Sequence, residues 1–242
     1  MNVLKCPEAR PGKPCCEDDN RTCPAIDEAS RILDNMGLVV YPTDTVYGLA
    51  GLALYPEAVE KVFRAKGRPG DVPITATVAS YEGLLELTDI TSEQAEVLAQ
   101  LKDAPITWVL PAIDIVPERL LAGGITLGVR VLTIGCAAAI VNRVGPITAT
   151  SANVHGQRSA RKVQDSMDQM GDSVDLYIDC GKTAIGIPST VAKVVFEPHG
   201  PTIKSIKIIR EGAISGEALR TKLLPKPKKD KPTTKGKAKK KR

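Results

Sequence analysis

Apolar residues recur along this chain in two rhythms. In "AIDEASRILDNMG" Ala25, Ile26, Ala29, Ile32, Leu33 and Met36 fall at helical spacing, and Gly37 stands at the C-cap position. "LVVY" then runs as unbroken β-formers and is predicted as a strand. "YPEAVEKVFRAKG" returns to the helical rhythm, with Pro56 where a helix tolerates it, Val59, Val62 and Phe63 on the apolar face, and Gly67 as the stop. Lys66 and Arg68 therefore sit where a helix ends. Downstream, the same rhythms predict strands near 74–78, 106–110, 125–132, 146–149, 174–178, 189–195 and 203–209. Helices are predicted near 80–87, 92–102, 135–143, 162–170 and 215–223. Strands and helices intermix, and several strands lie close enough in sequence to pair antiparallel. The expectation is an α/β fold with a mixed sheet and flanking helices, not a strict βαβ repeat.

Charge divides the chain into parts. Residues 221–242 hold eleven Lys or Arg against Asp230 alone, a charge of +10 in a chain whose formal total is +5, so residues 1–220 sum to −5. The reading is an irregular Cys- and Pro-rich leader over 1–23, a main domain over 24–220 and a basic disordered tail over 221–242. Such a tail either contacts nucleic-acid phosphates or merely solubilises, and charge alone does not choose. Only 3% of residues are aromatic, which suits aliphatic strand-and-helix packing in the body.

Cysteine usage and hydropathy narrow the class further. Cys6, Cys15, Cys16 and Cys23 lack the paired CxxC spacing of a zinc ribbon, adjacent Cys15 and Cys16 make poor joint ligands, and Cys136 and Cys180 stand alone in sequence. No metal site is expected. No signal-peptide core opens the chain and no run approaches the roughly 20 apolar residues of a membrane span, so the expected location is the cytoplasm, with reduced thiols.

Four polar stretches, "PTDTVYGL", "AKGRP", "TATSANVHG" and "GIPSTV", lie at or just beyond predicted element ends. Taken singly, each has a structural explanation. A Thr-Asp-Thr run makes Asx and ST turns, "SAN" caps a helix, and Lys66 and Arg68 complement a helix dipole. Together they assemble hydroxyl and amide donors, glycines and a Lys-x-Arg pair, the donor set a phosphate- and hydroxyl-bearing ligand requires. Neither a Walker loop nor a GxGxxG is present, so a nucleotide would be held by side chains from separate loops.

In the order "YPTDTVYGLAG", "AKGRP", "GVRV", "TATSAN", "GIPSTV" and "IIREGAI", the chain resembles the signature series of the YrdC-type threonylcarbamoyl-adenylate synthases, over about residues 25 to 220. The resemblance implies a YrdC-like fold, with a twisted mixed parallel/antiparallel sheet, flanking helices and a basic concave cleft. It also implies synthesis of threonylcarbamoyl-AMP and pyrophosphate from L-threonine, bicarbonate and ATP with Mg²⁺. That product would pass to downstream threonylcarbamoyl-transferase machinery for the t6A modification beside the tRNA anticodon. By the same resemblance Lys66 and Arg68 would face the phosphates, with Ser151 and Asn153 completing a catalytic tetrad. Thr45, Arg130, Ala149 and Ser189 would form the threonine pocket, and Thr126, Ser159 and Arg210 would contact ATP. Adenylation builds charge on phosphate oxygens, so fixed cations and Mg²⁺ are the expected catalysts; no histidine is demanded, and the chain has only His155 and His199.

Some positions depart from that series. Val72 stands where many relatives carry a polar ATP contact, and Thr77 where some carry a histidine. Asp103 and Ala104 interrupt a stretch that is usually aromatic-Pro-Gly-Pro. Against relatives that carry a second domain, the expectation is the single-domain form. Two rival readings are an RNA-binding or ribosome-associated protein of the same fold without synthesis, which the basic tail favours, and a carbamoyl-adenylate enzyme of hydrogenase maturation. The intact Lys-x-Arg and Ser-x-Asn motifs weigh against the first, since RNA binding needs no threonine pocket.

Overall fold

In the computed structural model, which describes residues 1–6, 23–102 and 104–223, every segment predicted as a strand forms one. The expected tail disorder beyond residue 223, Cys15, Cys16 and Asp103 lie outside the described residues. The strands are β1 (Val3–Lys5), β2 (Val39–Tyr41), β3 (Gly48–Ala50), β4 (Thr75–Val78), β5 (Ile106–Pro111), β6 (Thr126–Val131), β7 (Ile147–Ser151), β8 (Leu176–Asp179), β9 (Thr190–Phe196) and β10 (Ile203–Arg210). They form one sheet in the order β1-β8-β2-β3-β7-β4-β6-β5-β9-β10. Pairing is mixed, as expected: β1 with β8, β2 with β8, β4 with β6 and β5 with β9 are parallel, and the other neighbours are antiparallel.

The helices are α1 (Pro24–Asp34), α2 (Pro56–Lys66), α3 (Ser92–Ala99), α4 (Glu118–Leu121), α5 (Gly135–Val144), α6 (Val163–Met170) and α7 (Gly216–Leu223). Alternate residues of the strands enter opposite cores, as the two-residue period of a strand requires. Val39, Tyr41, Ala50, Leu176 and Ile178 pack with Ile26, Leu33, Ala137 and Ile140 of α1 and α5. Val40, Leu49 and Tyr177 point the other way, into the larger core that contains Phe63, Trp108 and Leu219. Burial on both faces explains why "VVY" and "LYI" are unbroken apolar runs.

Several expectations need correction. Residues 1–23 are not irregular throughout, because Val3–Lys5 extends the sheet edge beside β8, a long-range pairing that three residues cannot announce. The helix expected over 80–87 is a short 3₁₀ turn at Glu82–Glu86, begun by the Gly83 amide donating to the Ser80 hydroxyl. β3 and α4 were unpredicted; each is a single short run, and α4 is closed by Ala122 in the left-handed region. At the end of α1 it is Met36, not Gly37, that adopts positive φ. Gly37 is there for space: a Cβ would lie 2.5 Å from Ile32 Cγ2. The boundary at residue 221 also falls inside α7, which runs to Leu223.

Candidate functional site

Beyond the area covered by α1 and α5, one face of the sheet stays open and becomes the floor of a cleft. Register builds that floor. Thr77 on β4 pairs with Arg130 on β6, Arg130 with Thr107 on β5, and Thr107 with Val191 on β9, and all four line the cleft. Thr75 pairs with Ala149 of β7, and the Thr75 hydroxyl donates to the Ala149 carbonyl. The intervening residues Ala76, Val78, Trp108, Val129, Val131 and Ala192 face the larger core. Threonine and arginine on one side and aliphatics on the other are what "ITATV", "ITWVL" and "GVRV" encode at period two.

The loop after β2 forms one wall. The Thr43 hydroxyl accepts from the amides of Thr45 (3.1 Å) and Val46 (3.2 Å) and lies 3.0 Å from the Thr45 hydroxyl, so Thr43 shapes the turn and Thr45 presents its side chain. Asp44 accepts from Arg130 Nη2 at 2.6 Å. The other Arg130 terminal nitrogen and Asp44 Oδ1 are buried without a protein partner, so this ion pair leaves one donor and one acceptor for a ligand. The segment before β9 closes over the same loop, its Ile185 and Gly186 amides donating to the Asp44 and Thr45 carbonyls at 3.1 and 2.8 Å. Ser189 then stands 2.7 Å, oxygen to oxygen, from the Thr107 hydroxyl on the floor.

Two cations complete the lining. Arg68 is anchored by Nε to the Val72 carbonyl (3.0 Å) and by Nη2 to the Pro73 carbonyl (2.7 Å). Val72 thus contributes through its backbone, which its apolar side chain does not prevent. Arg210 donates to the Ser189 carbonyl at 2.8 Å. Partial desolvation at the cleft, and for Arg68 also the neighbouring Arg210, hold both guanidiniums below their usual pKa, although the Arg210 residue as a whole stays exposed; an approaching anion relieves the repulsion between them. Tyr41 lines the same cleft, and burial pushes its hydroxyl up to about 12, so it acts there as a neutral group.

Of the residues predicted for the site, Thr45, Arg68, Arg130, Ala149, Ser151, Ser189 and Arg210 line this cleft together. Lys66 does not line it, and it is not the exposed helix-end charge its position suggests: it is 1% exposed and donates to the carbonyls of Ser151 (2.5 Å) and Asn153 (2.6 Å). Desolvation, with Arg68 nearby, brings its pKa down to about 7. Asn153 turns its amide nitrogen to the carbonyls of Val154 and Gln157, so it braces the loop after β7. Thr126 begins β6, four residues and roughly 13 Å of strand from Arg130, and like Ser159 it is not among the cleft-lining residues. Asp44, Thr75 and Thr107 were missed as site residues. Alternation along β4 and β5 signals the two threonines, whereas nothing local signals the pairing of Asp44 with Arg130.

Comparison with known proteins agrees with this architecture. The sequence model of the Sua5/YciO/YrdC family, whose description reads "Telomere recombination", matches residues 31–212. The threonylcarbamoyl-AMP synthase of Pyrococcus abyssi is 38% identical over 184 residues, covering 72% of this chain and 54% of that protein. The threonylcarbamoyl-AMP synthase of Bacillus subtilis is 33% identical over 195 residues, covering 77% of this chain and 56% of that protein. The chain therefore spans about half the length of these curated relatives. The crystal structure of P. abyssi Sua5 complexed with L-threonine superposes with a TM-score of 0.77 at 29% identity, covering 92% of this chain and 61% of that one.

Proposed function

The chain belongs to the Sua5/YciO/YrdC family, and on that footing we propose that it synthesises threonylcarbamoyl-AMP from L-threonine, bicarbonate and MgATP, releasing pyrophosphate, for the t6A modification of tRNA. The observation that carries the reading is the convergence of Thr45, Arg68, Arg130, Ser189 and Arg210, from five separate stretches, on one cleft. Two curated relatives bear the synthase name, and a solved relative was crystallised with L-threonine.

Chemically, the threonine amine adds to bicarbonate with loss of water, and a carbamate oxygen then attacks the α-phosphorus. The bond from the α-phosphorus to the bridging oxygen breaks, and that oxygen leaves with pyrophosphate. Negative charge grows on the non-bridging and leaving oxygens, where preorganised Arg68 and Arg210 act best. The nitrogen of Arg130 left unpartnered by Asp44 suits the threonine carboxylate, and the Thr45, Thr107 and Ser189 hydroxyls suit its side-chain hydroxyl. Among the described residues the one carboxylate at this cleft is Asp44, which is engaged by Arg130, so Mg²⁺ is read as entering with the nucleotide's phosphates. Lys66 holds the Ser151 loop from behind through the carbonyls of Ser151 and Asn153, and Asn153 braces it through Val154 and Gln157.

The basic segment beyond residue 221 supports contact with tRNA phosphates in addition to synthesis. A pocket of hydroxyls around a half-satisfied ion pair suits a small zwitterion, which favours synthesis over a purely RNA-binding role. Threonine-dependent formation of an AMP adduct together with pyrophosphate tests the reading.

A further inference from the structure

Cysteines that stand far apart in sequence meet where α5 packs near the β1–β8 end of the sheet. Cys6 follows β1, Cys136 lies in the first turn of α5, and Cys180 follows β8. Their sulfur atoms all lie within 4.8 Å of one another, with Cys136 and Cys180 3.7 Å apart. From this convergence we propose that Cys6, Cys136 and Cys180 form a three-thiolate site for a soft divalent cation, zinc above all.

The geometry suits a metal better than the alternatives. Four donors about 2.3 Å from a tetrahedral zinc ion are about 3.8 Å from each other, close to the 3.7 Å between Cys136 and Cys180. A disulfide would draw two sulfurs to about 2.05 Å. An iron–sulfur cluster interposes its own iron and sulfide and would spread three cysteines more widely than 4.8 Å. Zinc takes thiolates readily, and the fourth position is left to water or another donor. Cys6 and Cys136 are buried and Cys180 half-buried, so a bound ion would be shielded yet reachable from one side.

The surroundings hold the three sulfurs in place. The Cys6 amide donates to the Asp179 carbonyl at 3.0 Å, fixing it beside Cys180. The Cys180 amide donates to the Tyr47 hydroxyl at 3.1 Å, and that hydroxyl donates to the Gly181 carbonyl at 2.7 Å. Cys136 is fixed in the first turn of the ten-residue α5. A metal here would join β1, β8 and α5. It would also anchor the start of the segment whose Ile185 and Gly186 amides hold the Asp44–Thr45 wall of the cleft. Its role would be structural, and the site stands independently of the reaction assigned to the cleft.

The test uses the full-length chain purified under reducing, anaerobic conditions, with metal content measured and Co²⁺ then titrated into the metal-stripped protein. The expected result is one zinc per chain, a thiolate-to-Co²⁺ charge-transfer band saturating at one equivalent, and a melting temperature raised by Zn²⁺. Cys136→Ser and Cys180→Ser should each weaken Zn²⁺ binding by at least about 10- to 100-fold, the range that changes to outer-shell partners already produce. Should those variants fail to fold, alkylation mapping of the unsubstituted chain decides, with Zn²⁺ expected to protect Cys6, Cys136 and Cys180 together. A Co²⁺ complex without charge transfer would overturn the site. So would equal alkylation of these cysteines with and without Zn²⁺, an unchanged band in both serine variants, or a Cys136–Cys180 disulfide in the anaerobic protein.

Discussion

Lys66 donates its ammonium to the carbonyl of Asn153 at 2.6 Å from a position almost wholly shut off from solvent. With the 2.5 Å contact to the Ser151 carbonyl, this joins the Lys-x-Arg stretch to the Ser-x-Asn stretch through backbone. Lys66→Met removes the donor and leaves two acceptors unmet, so stability at pH 7 should fall by about 1–3 kcal/mol. Activity should fall with it, through a displaced Ser151. The lysine also makes stability depend on pH. Its folded pKa is lowered to about 7 against about 10.4 unfolded, so the unfolded chain binds more protons between those values. Stability should accordingly rise with pH across that window, and denaturant midpoints should lose that rise in the methionine variant. Equal slopes in the two proteins would remove the buried-lysine account.

Arg68→Ala and Arg210→Ala test the phosphate wall. Each should slow adenylate formation by roughly 10²- to 10³-fold, the effect of losing one transition-state donor. Arg210 is exposed and holds only the Ser189 carbonyl, so Arg210→Ala should melt within a few degrees of the parent. A near-normal rate in both variants would show that these cations only tether loops.

How much was legible beforehand follows from the range of each interaction. The β-strand runs and the helices α1 and α2 declare themselves because their patterns are local, and the motif series identifies the loops that meet at the cleft. Lys66 could not be read in the same way. Burial of its ammonium depends on two carbonyls 85 and 87 residues away, and a charge after "RA" reads locally as an exposed helix end. The Asp44–Arg130 pair and the three-cysteine cluster are hidden for the same reason, since each is made only when distant strands align. β1 is invisible because three residues carry no period.

Substrate choice should follow hydroxyl recognition. The Thr107 and Ser189 oxygens, 2.7 Å apart beside Thr45, would lose a partner when valine replaces threonine. A site built for a hydroxyl rejects an analogue lacking it by about 10⁴-fold or more, whereas a missing methyl costs only about 10- to 200-fold. Valine should therefore be a much poorer substrate than serine in competition assays of kcat/KM. Equal use of valine and threonine would exclude hydroxyl recognition.

Gly212 offers a test of packing behind the pocket. A Cβ there would lie 2.2 Å from the Pro188 carbonyl oxygen and 2.5 Å from the Ser189 carbonyl carbon, both backbone atoms that cannot swing aside. Gly212→Ala should cost about 1–3 kcal/mol through overpacking and raise KM for threonine more than for ATP as Ser189 shifts. Equal effects on both KM values would place the damage elsewhere.

Deleting residues 224–242 should leave adenylate synthesis intact, because among the described residues the cleft lining ends at Arg210 and no motif of the signature series lies in the deleted stretch. If the segment contacts tRNA phosphates, each lost contact should reduce the salt dependence of binding by about 0.7 to 0.9 in the log–log slope. Identical slopes for full-length and shortened chains would reject that contact.

The most direct measurement is product formation by the purified chain supplied with MgATP, bicarbonate and isotopically labelled L-threonine. The account predicts a labelled threonylcarbamoyl-AMP adduct appearing with pyrophosphate in equal amounts, dependent on both threonine and bicarbonate, and strongly reduced in Arg68→Ala. Absence of both products from folded protein, or release of pyrophosphate at the same rate without threonine, would contradict it.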